Sequence, residues 1–399
     1  MSVHLGGGAL NRRLARAVLI AAGVVAVTAV AVAYLWLRRP APEAGAPAPR
    51  DAGYTLAYIS NASGEGVDLY LADPAGGNPI RLTESVLDES WPAWSPDGRH
   101  LAFVRASTED AQLASGEEEG LYLLSWEGGA PREMLLAPAR EAGIGGPFWS
   151  PDSRQVGVIG QPPAGDGRLG GGPVLTLCEA TSGDCQSWEL DIEANLLETG
   201  TIPAWTTDGR AIIFSGPNLA QTRGGALTPL RLELATRELT QLAISGQYAA
   251  VSSRATVAYI GVPPDAQQIW MVSATGGVRQ RIGRPLASGL WCYGLAWAPD
   301  GRRLASAESD GEHTLLVIRT PEDGEVAEYV SPLQGRQVPL SPTWSADGRY
   351  VSYTVLTGLE SSVPDGTLVV VDTETDAVSA WPAEPGVLQA FGAWRPAGD

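Results

Sequence analysis

Trp94-Ser-Pro-Asp-Gly-Arg99, running on into Leu101-Ala-Phe-Val104, is the stretch on which the fold turns. Pro presets φ, the Asp carboxylate can bond a nearby backbone N–H, and Gly accepts a positive φ, so the hexapeptide codes a tight turn between two strands. The unit recurs. Trp149-Ser-Pro-Asp-Ser-Arg154 leads into VGVI, and Trp205-Thr-Thr-Asp-Gly-Arg210 into AIIF. Trp297-Ala-Pro-Asp-Gly-Arg302 and Trp344-Ser-Ala-Asp-Gly-Arg349 complete the clear copies. A degenerate copy is expected at Ala249-Ala-Val-Ser-Ser-Arg254, with Arg254 five residues after the Trp position. Ala393-Trp394-Arg395-Pro396 opens a seventh. On this reading the Trp positions lie 55, 56, 44, 48, 47 and 50 residues apart, a period that suits one four-stranded propeller blade.

Each interval parses into four strands. From Trp94, residues 91–95 read as strand A, 99–105 as B, 120–126 as C and 131–136 as D. The ends of the chain explain one another. Residues 54–60, 67–73 and 79–83 read as strands B, C and D of a blade that lacks A, and 389–395 reads as an A strand without its sheet. Pairing the two closes the ring and removes both edges. The expected fold is all-β, a seven-bladed β-propeller, with six blades as the alternative if the degenerate copy is not a blade.

The repeat resembles that of the TolB-type propellers, which is also found in the propellers of prolyl-oligopeptidase-like peptidases. The resemblance covers about residues 51–396 and implies a fold, not an activity. Neither the α/β domain that precedes the propeller in TolB nor the hydrolase domain of the oligopeptidases is expected here.

Composition agrees. The 48 Gly and 30 Pro suit short strands and turns better than long helices. All 27 basic residues are Arg, which excludes lysine Schiff-base chemistry. The net charge is −18, and residues 51–399 hold 21 Arg against 44 carboxylates. Nucleic acid is not an expected partner, because binding it requires clustered cations to displace phosphate counterions.

Ahead of the repeats, a tail at 1–16 precedes an uncharged apolar run from Ala17 to Leu37. At helical rise the run spans about 31 Å, enough to cross a bilayer. Arg12, Arg13 and Arg16 precede it, and Tyr34 and Trp36 sit at the far interface. The run is longer than the apolar core of a cleaved signal peptide. We therefore expect an N-terminal transmembrane helix at 17–37, the Pro/Ala-rich linker 38–50 as spacer, and the propeller 51–399 on the extracytoplasmic side of the cell membrane.

The repeated Asp97, Asp152, Asp208, Asp300 and Asp347 read as turn caps, and the repeated Arg and Trp as architecture. His4, His100 and His313 are the only histidines, and no G-x-S-x-G elbow or C-x-x-C pair occurs, so no hydrolase triad or zinc site is written in the sequence. Cys178 and Cys185 bracket a hairpin and are expected to form a disulfide. Binding belongs to the face carrying the longer B–C and D–A connections: 106–119, 161–172, 191–201, 216–227 and 356–365. On that face Glu84, Asp88 and Glu89 in one connection, with Glu109, Asp110, Glu117, Glu118 and Glu119 in the next, form an acidic cluster. It could take Ca²⁺ or a basic partner segment, or simply be solvated. Trp291 and Tyr293 open a strand near the same face and offer an aromatic contact. The expected role is a protein- or peptide-binding scaffold of the cell envelope. The alternative is a carbohydrate-active or lactone-hydrolysing enzyme with a carboxylate or metal site in the central channel.

Overall fold

The computed structural model describes residues 56–396 apart from short stretches, the longest being 107–117, 161–171, 193–201 and 218–226. Seven antiparallel sheets follow one another along this span. Blade 2 is representative: Asp88–Trp94, His100–Ala106, Gly120–Ser125 and Arg132–Pro138 pair in chain order as strands A to D. Blades 3 to 6 repeat the meander, with A strands Phe148–Trp149, Ala204–Trp205, Gln247–Val251 and Trp291–Trp297. Blade 7 has an interrupted A strand, Val338–Pro339 and Thr343–Trp344, around Pro339 and Pro342, which have no N–H to give a ladder.

The seven A strands contact one another in sequence and close a ring about the central channel. Blade 1 completes it. The C-terminal strand Gln389–Trp394 pairs with the first described strand, Leu56–Ser60, in the register Leu56↔Trp394 and Ala57↔Ala393. Seven blades replace the six-bladed alternative. The expected anchor at 17–37 and linker at 38–50 lie outside the described residues.

The repeat turn is built as its composition dictates. In blade 2, Ser95 Oγ donates to Asp97 Oδ1 (2.6 Å), the same oxygen accepts the Arg99 N–H (3.0 Å), and Ser95 N–H bonds His100 O (2.8 Å). Gly98 holds φ 68°, and a Cβ there would lie 2.8 Å from Pro396 O, so two blades meet at a residue that must be small.

The degenerate copy differs from its expected register. Ser252 N–H bonds Thr256 O (2.8 Å), so this turn is one residue shorter than the Ser95–His100 turn. Ala255, at φ 56°, takes the place of Gly98, and its N–H bonds Ser252 O as Gly98 N–H bonds Ser95 O. Val251, not Ala249, therefore holds the Trp position, and Arg254 falls where Asp97 would be. Aligning on the arginine misses the deletion, because a shortened turn moves the cation without moving the strand.

Trp side chains fasten blade to blade. Trp149 Nε1 donates to Ala93 O (2.9 Å), Trp297 Nε1 to Ala250 O (3.2 Å) and Trp344 Nε1 to Ala296 O (3.0 Å). In each case the acceptor precedes the Trp position of the preceding blade. Between the blades, the B and C strands bury nearly every side chain, with Leu101, Phe103, Leu123, Ile212 and Tyr259 among the fully enclosed residues.

Candidate functional site

Four inner strands carry an aromatic residue at an irregularity of the ladder. Register shifts fall between Ser90 and Ala93, Gln247 and Ala250, Cys292 and Gly294, and opposite Ala57 and Ile59 in the closing strand. The residues inserted there include Trp91, Tyr248, Tyr293 and Phe391. A β-bulge re-aims its side chain away from the regular alternation. Trp91, Tyr248 and Phe391 stand at φ 49°, 55° and 54°, a left-handed backbone that costs on the order of 1–3 kcal/mol for such residues. All three occupy the third place before the Trp position of their blade.

Contacts place part of this set around the channel. Trp91 and Phe391 meet edge to face with centroids 6.4 Å apart. A Cβ on Gly146 would lie 2.9 Å from Ile202 Cγ1 and 3.6 Å from Trp91 Cγ, so blades 1 to 4 touch in succession through Phe391, Trp91, Gly146 and Ile202. Gly146 and Ile202 also stand three residues before their blades' tryptophans. Across blades 5 and 6, burial, and next the charges of Cys292 and Tyr293, push the Tyr248 phenol up to about 12. Trp91, Tyr248, Tyr293 and Phe391 are half-buried and Ile202 is 48% exposed, so the collar is open to solvent on part of its surface.

Trp291 and Tyr293 thus lie on the inner strand of blade 6, and Tyr293 joins the collar. Trp91, Tyr248 and Phe391 were missed in the sequence. The available signal was an aromatic residue three places ahead of the repeat Trp, as in Trp91-Pro-Ala-Trp94 and Phe391-Gly-Ala-Trp394.

The acidic residues divide. Glu84 is exposed, while Glu118 and Glu119 are half-buried just ahead of strand C in blade 2. Glu109, Asp110 and Glu117 lie outside the described residues. Asp88 and Glu89 are buried within the joint between blades 1 and 2. Asp88 Oδ1 accepts Val67 N–H (2.8 Å), and Glu89 accepts Thr83 Oγ1–H (3.0 Å) and Arg105 Nε–H (2.8 Å). Arg105 also forks onto both oxygens of Glu133 (2.9 Å each) and lies 4.3 Å from the Tyr122 centroid. In blade 1, Asp68 accepts Ser63 Oγ–H (2.7 Å) and pairs with Arg81 (2.9 Å). Among the described residues, no three His, Cys, Asp or Glu side chains are grouped to hold a metal ion.

The disulfide is formed: Cys178 and Cys185 face each other across strands C and D of blade 3, with Cα atoms 4.1 Å apart. The repeated carboxylates act in their turns. Hydrogen bonds from Ser150 and Thr206 lead the effects that hold Asp152 and Asp208 below the usual range.

No family model matches the chain. An uncharacterized peptidase of Bacillus subtilis, YuxL, is 30% identical over 109 residues, which make up 26% of this chain and 15% of that protein. Among solved structures, TolB from Acinetobacter baumannii has a TM-score of 0.51 at 16% identity, over 88% of this chain and 68% of that one. A prolyl endopeptidase gives 0.57 at 13%, over 92% and 55%. An oligogalacturonate lyase from Vibrio parahaemolyticus gives 0.56 at 15%, over 84% and 89%. At these identities the likeness establishes a TolB-like propeller fold and nothing about chemistry.

Proposed function

From this TolB-like propeller we propose a membrane-tethered, extracytoplasmic scaffold that binds a protein or peptide on the B–C/D–A face. An apolar or aromatic side chain of the partner seats in the collar of Trp91, Ile202, Tyr248, Tyr293 and Phe391. The observation that carries this reading is the repeated left-handed bulge. Three blades hold strained backbone at equivalent places, and each presents a ring there. Strain of this kind persists only where the surrounding fold imposes it, and it gathers at sites that act on ligands. Rigid aromatic side chains supply contact area with little entropy to lose, which is why they anchor interfaces. The apolar run at 17–37 supports the tether, and the Cys178–Cys185 bond is in keeping with an oxidising compartment.

Photocrosslinking in cells tests the proposal. A photoreactive residue replacing Ile202 in the full chain is expected to capture a discrete partner, and Trp91→Ala with Phe391→Ala to reduce that capture at least tenfold. Equal capture from Arg154, which is 81% exposed on the A–B turn of blade 3, would overturn the choice of face.

A second reading keeps the face and changes the ligand. The likeness to oligogalacturonate lyase spans nearly the whole of both chains, and aromatic rings also stack on sugar faces. An acidic oligosaccharide that binds or is cleaved by the full chain, with loss in Tyr248→Ala, would select this reading over the scaffold.

A further inference from the structure

The joint between blades 1 and 2 buries three carboxyl groups, Asp68, Asp88 and Glu89, beside two arginines, Arg81 and Arg105. Asp68 is fully buried, Glu89 is 1% exposed and Asp88 is 6% exposed. Arg81 serves Asp68, and Arg105 is shared between Glu89 and Glu133, so among the described residues no cation is paired with Asp88. Asp88 Oδ1 accepts the Val67 N–H, but Asp88 Oδ2 has no donor among the described residues, and neither has Asp68 Oδ1. A buried carboxylate oxygen without a donor is expensive, and the cost disappears when a proton occupies the site.

We propose that Asp88 is a proton-binding site whose occupancy sets how tightly blade 2 closes on blade 1. The geometry makes the coupling direct. Asp88 takes the N–H of Val67, the adjacent Glu89 N–H donates to Val67 O (2.8 Å), and Leu87 N–H is held by Ser85 Oγ (2.9 Å). This backbone clasp joins the B–C connection of blade 1 to the innermost strand of blade 2. Ionising Asp88 adds a further negative charge beside the Asp68 and Glu89 carboxyls, in a site whose cations among the described residues, Arg81 and Arg105, are paired with other carboxylates, although Arg81 keeps two buried donors without a hydrogen-bond partner. Glu133 draws on Arg105 from the outer strand, Tyr70 lies beside Asp68, and Glu84 beside Arg81 is exposed.

Burial raises Asp88 to about 7, opposed by the Val67 N–H and reinforced by Asp68. Burial likewise raises Glu89 to about 8, opposed chiefly by Arg105. Both values exceed those of the unfolded chain, about 4. The folded joint therefore binds protons that the unfolded chain has released, and its stability falls as pH rises from about 4 through 8. The two sites are close enough to titrate as a pair. Trp91 follows Glu89 by two residues, so a ligand of the collar is held more tightly on the acid side. That extension rests on the reading of the collar given above; the clasp does not.

Hydrogen exchange on the full chain separates the two. After correction for intrinsic rates, protection of the Val67 and Glu89 amides is expected to fall at least fivefold between pH 5.5 and 8.5. In Asp88→Asn, a neutral isostere, the part of that dependence centred near pH 7 should be lost, leaving the part due to Glu89, while Glu89→Gln should keep the Asp88 part. A flat wild-type profile, or an Asp88→Asn profile as steep as wild type, overturns the proposal. Should Asp88→Asn not fold, the infrared carbonyl band of a protonated carboxylic acid in the Glu89→Gln chain, where that second buried acid is gone, decides. It is present at pH 5.5 and lost by pH 8.5 if the site is real, and its absence at pH 5.5 refutes it. A partner that fails to bind the collar leaves all these readouts unchanged.

Discussion

Asp152 accepts from Ser150 Oγ (2.7 Å) and from the Arg154 N–H (3.1 Å) while remaining largely in solvent. Asp152→Ala is therefore expected to lower stability by about 1 kcal/mol, the worth of a turn-closing hydrogen bond, measured by urea unfolding. Because its carboxyl is held below the usual range, its contribution is present above pH 4 and fades as pH drops further. Asp88 has the opposite sign, weakening its joint as pH climbs. The two residue types look alike in sequence. The turn aspartates were legible because Ser-Pro-Asp-Gly-Arg states its own geometry within five residues. Asp88 and Glu89 read as members of a solvated acidic loop because their burial depends on Val67, Thr83 and Arg105, which only the ring brings near.

Among the strands, tryptophans that look equivalent do different things. Trp149 Nε1 bonds Ala93 O, whereas Trp205 Nε1 is buried with no partner among the described residues. Trp149→Phe should cost about 1 kcal/mol more than Trp205→Phe, because only the first loses a bond. Equal losses in chemical denaturation would contradict that account. The hairpin joining strands C and D of blade 3 gives a second test. Replacing both Cys178 and Cys185 with Ala should lower stability by about 2.5 kcal/mol, the loop-closure value for so short a ring. The pairing of these cysteines could be read from six intervening turn-forming residues. The bulges at Trp91 and Phe391 left a signal in the spacing to the repeat Trp, but the one at Tyr248 did not, since its blade has Val251 at the Trp position and a register shift is decided by how seven strands fit around one axis.

For the molecule as a whole, closure is the property most exposed to damage. Removing Gln389 and everything after it would bare the inner edge of Leu56–Ser60 and uncover Leu56 and Ile59, both enclosed in the intact ring. Such a chain is expected to lose its cooperative thermal transition, followed by circular dichroism, and to regain it when a peptide of residues 387–396 is added. The ring itself was legible because a defect at each end of the repeat series matched the other. The seven blades were legible; only the register of blade 5 was not, because an arginine displaced by a shortened turn misdirected the alignment.

Three indole bonds of the inner strands run one way around the disc: Trp149 reaches to Ala93, Trp297 to Ala250 and Trp344 to Ala296, each towards the blade encoded before it, while Trp381 of blade 7 reaches across the closure to Pro74 O of blade 1. A polypeptide emerging from its amino end thus finds every docking carbonyl already in place, and can add modules in the order of synthesis. The first module alone must wait for Gln389–Trp394, leaving a seam that is sealed only after the six other modules have been made.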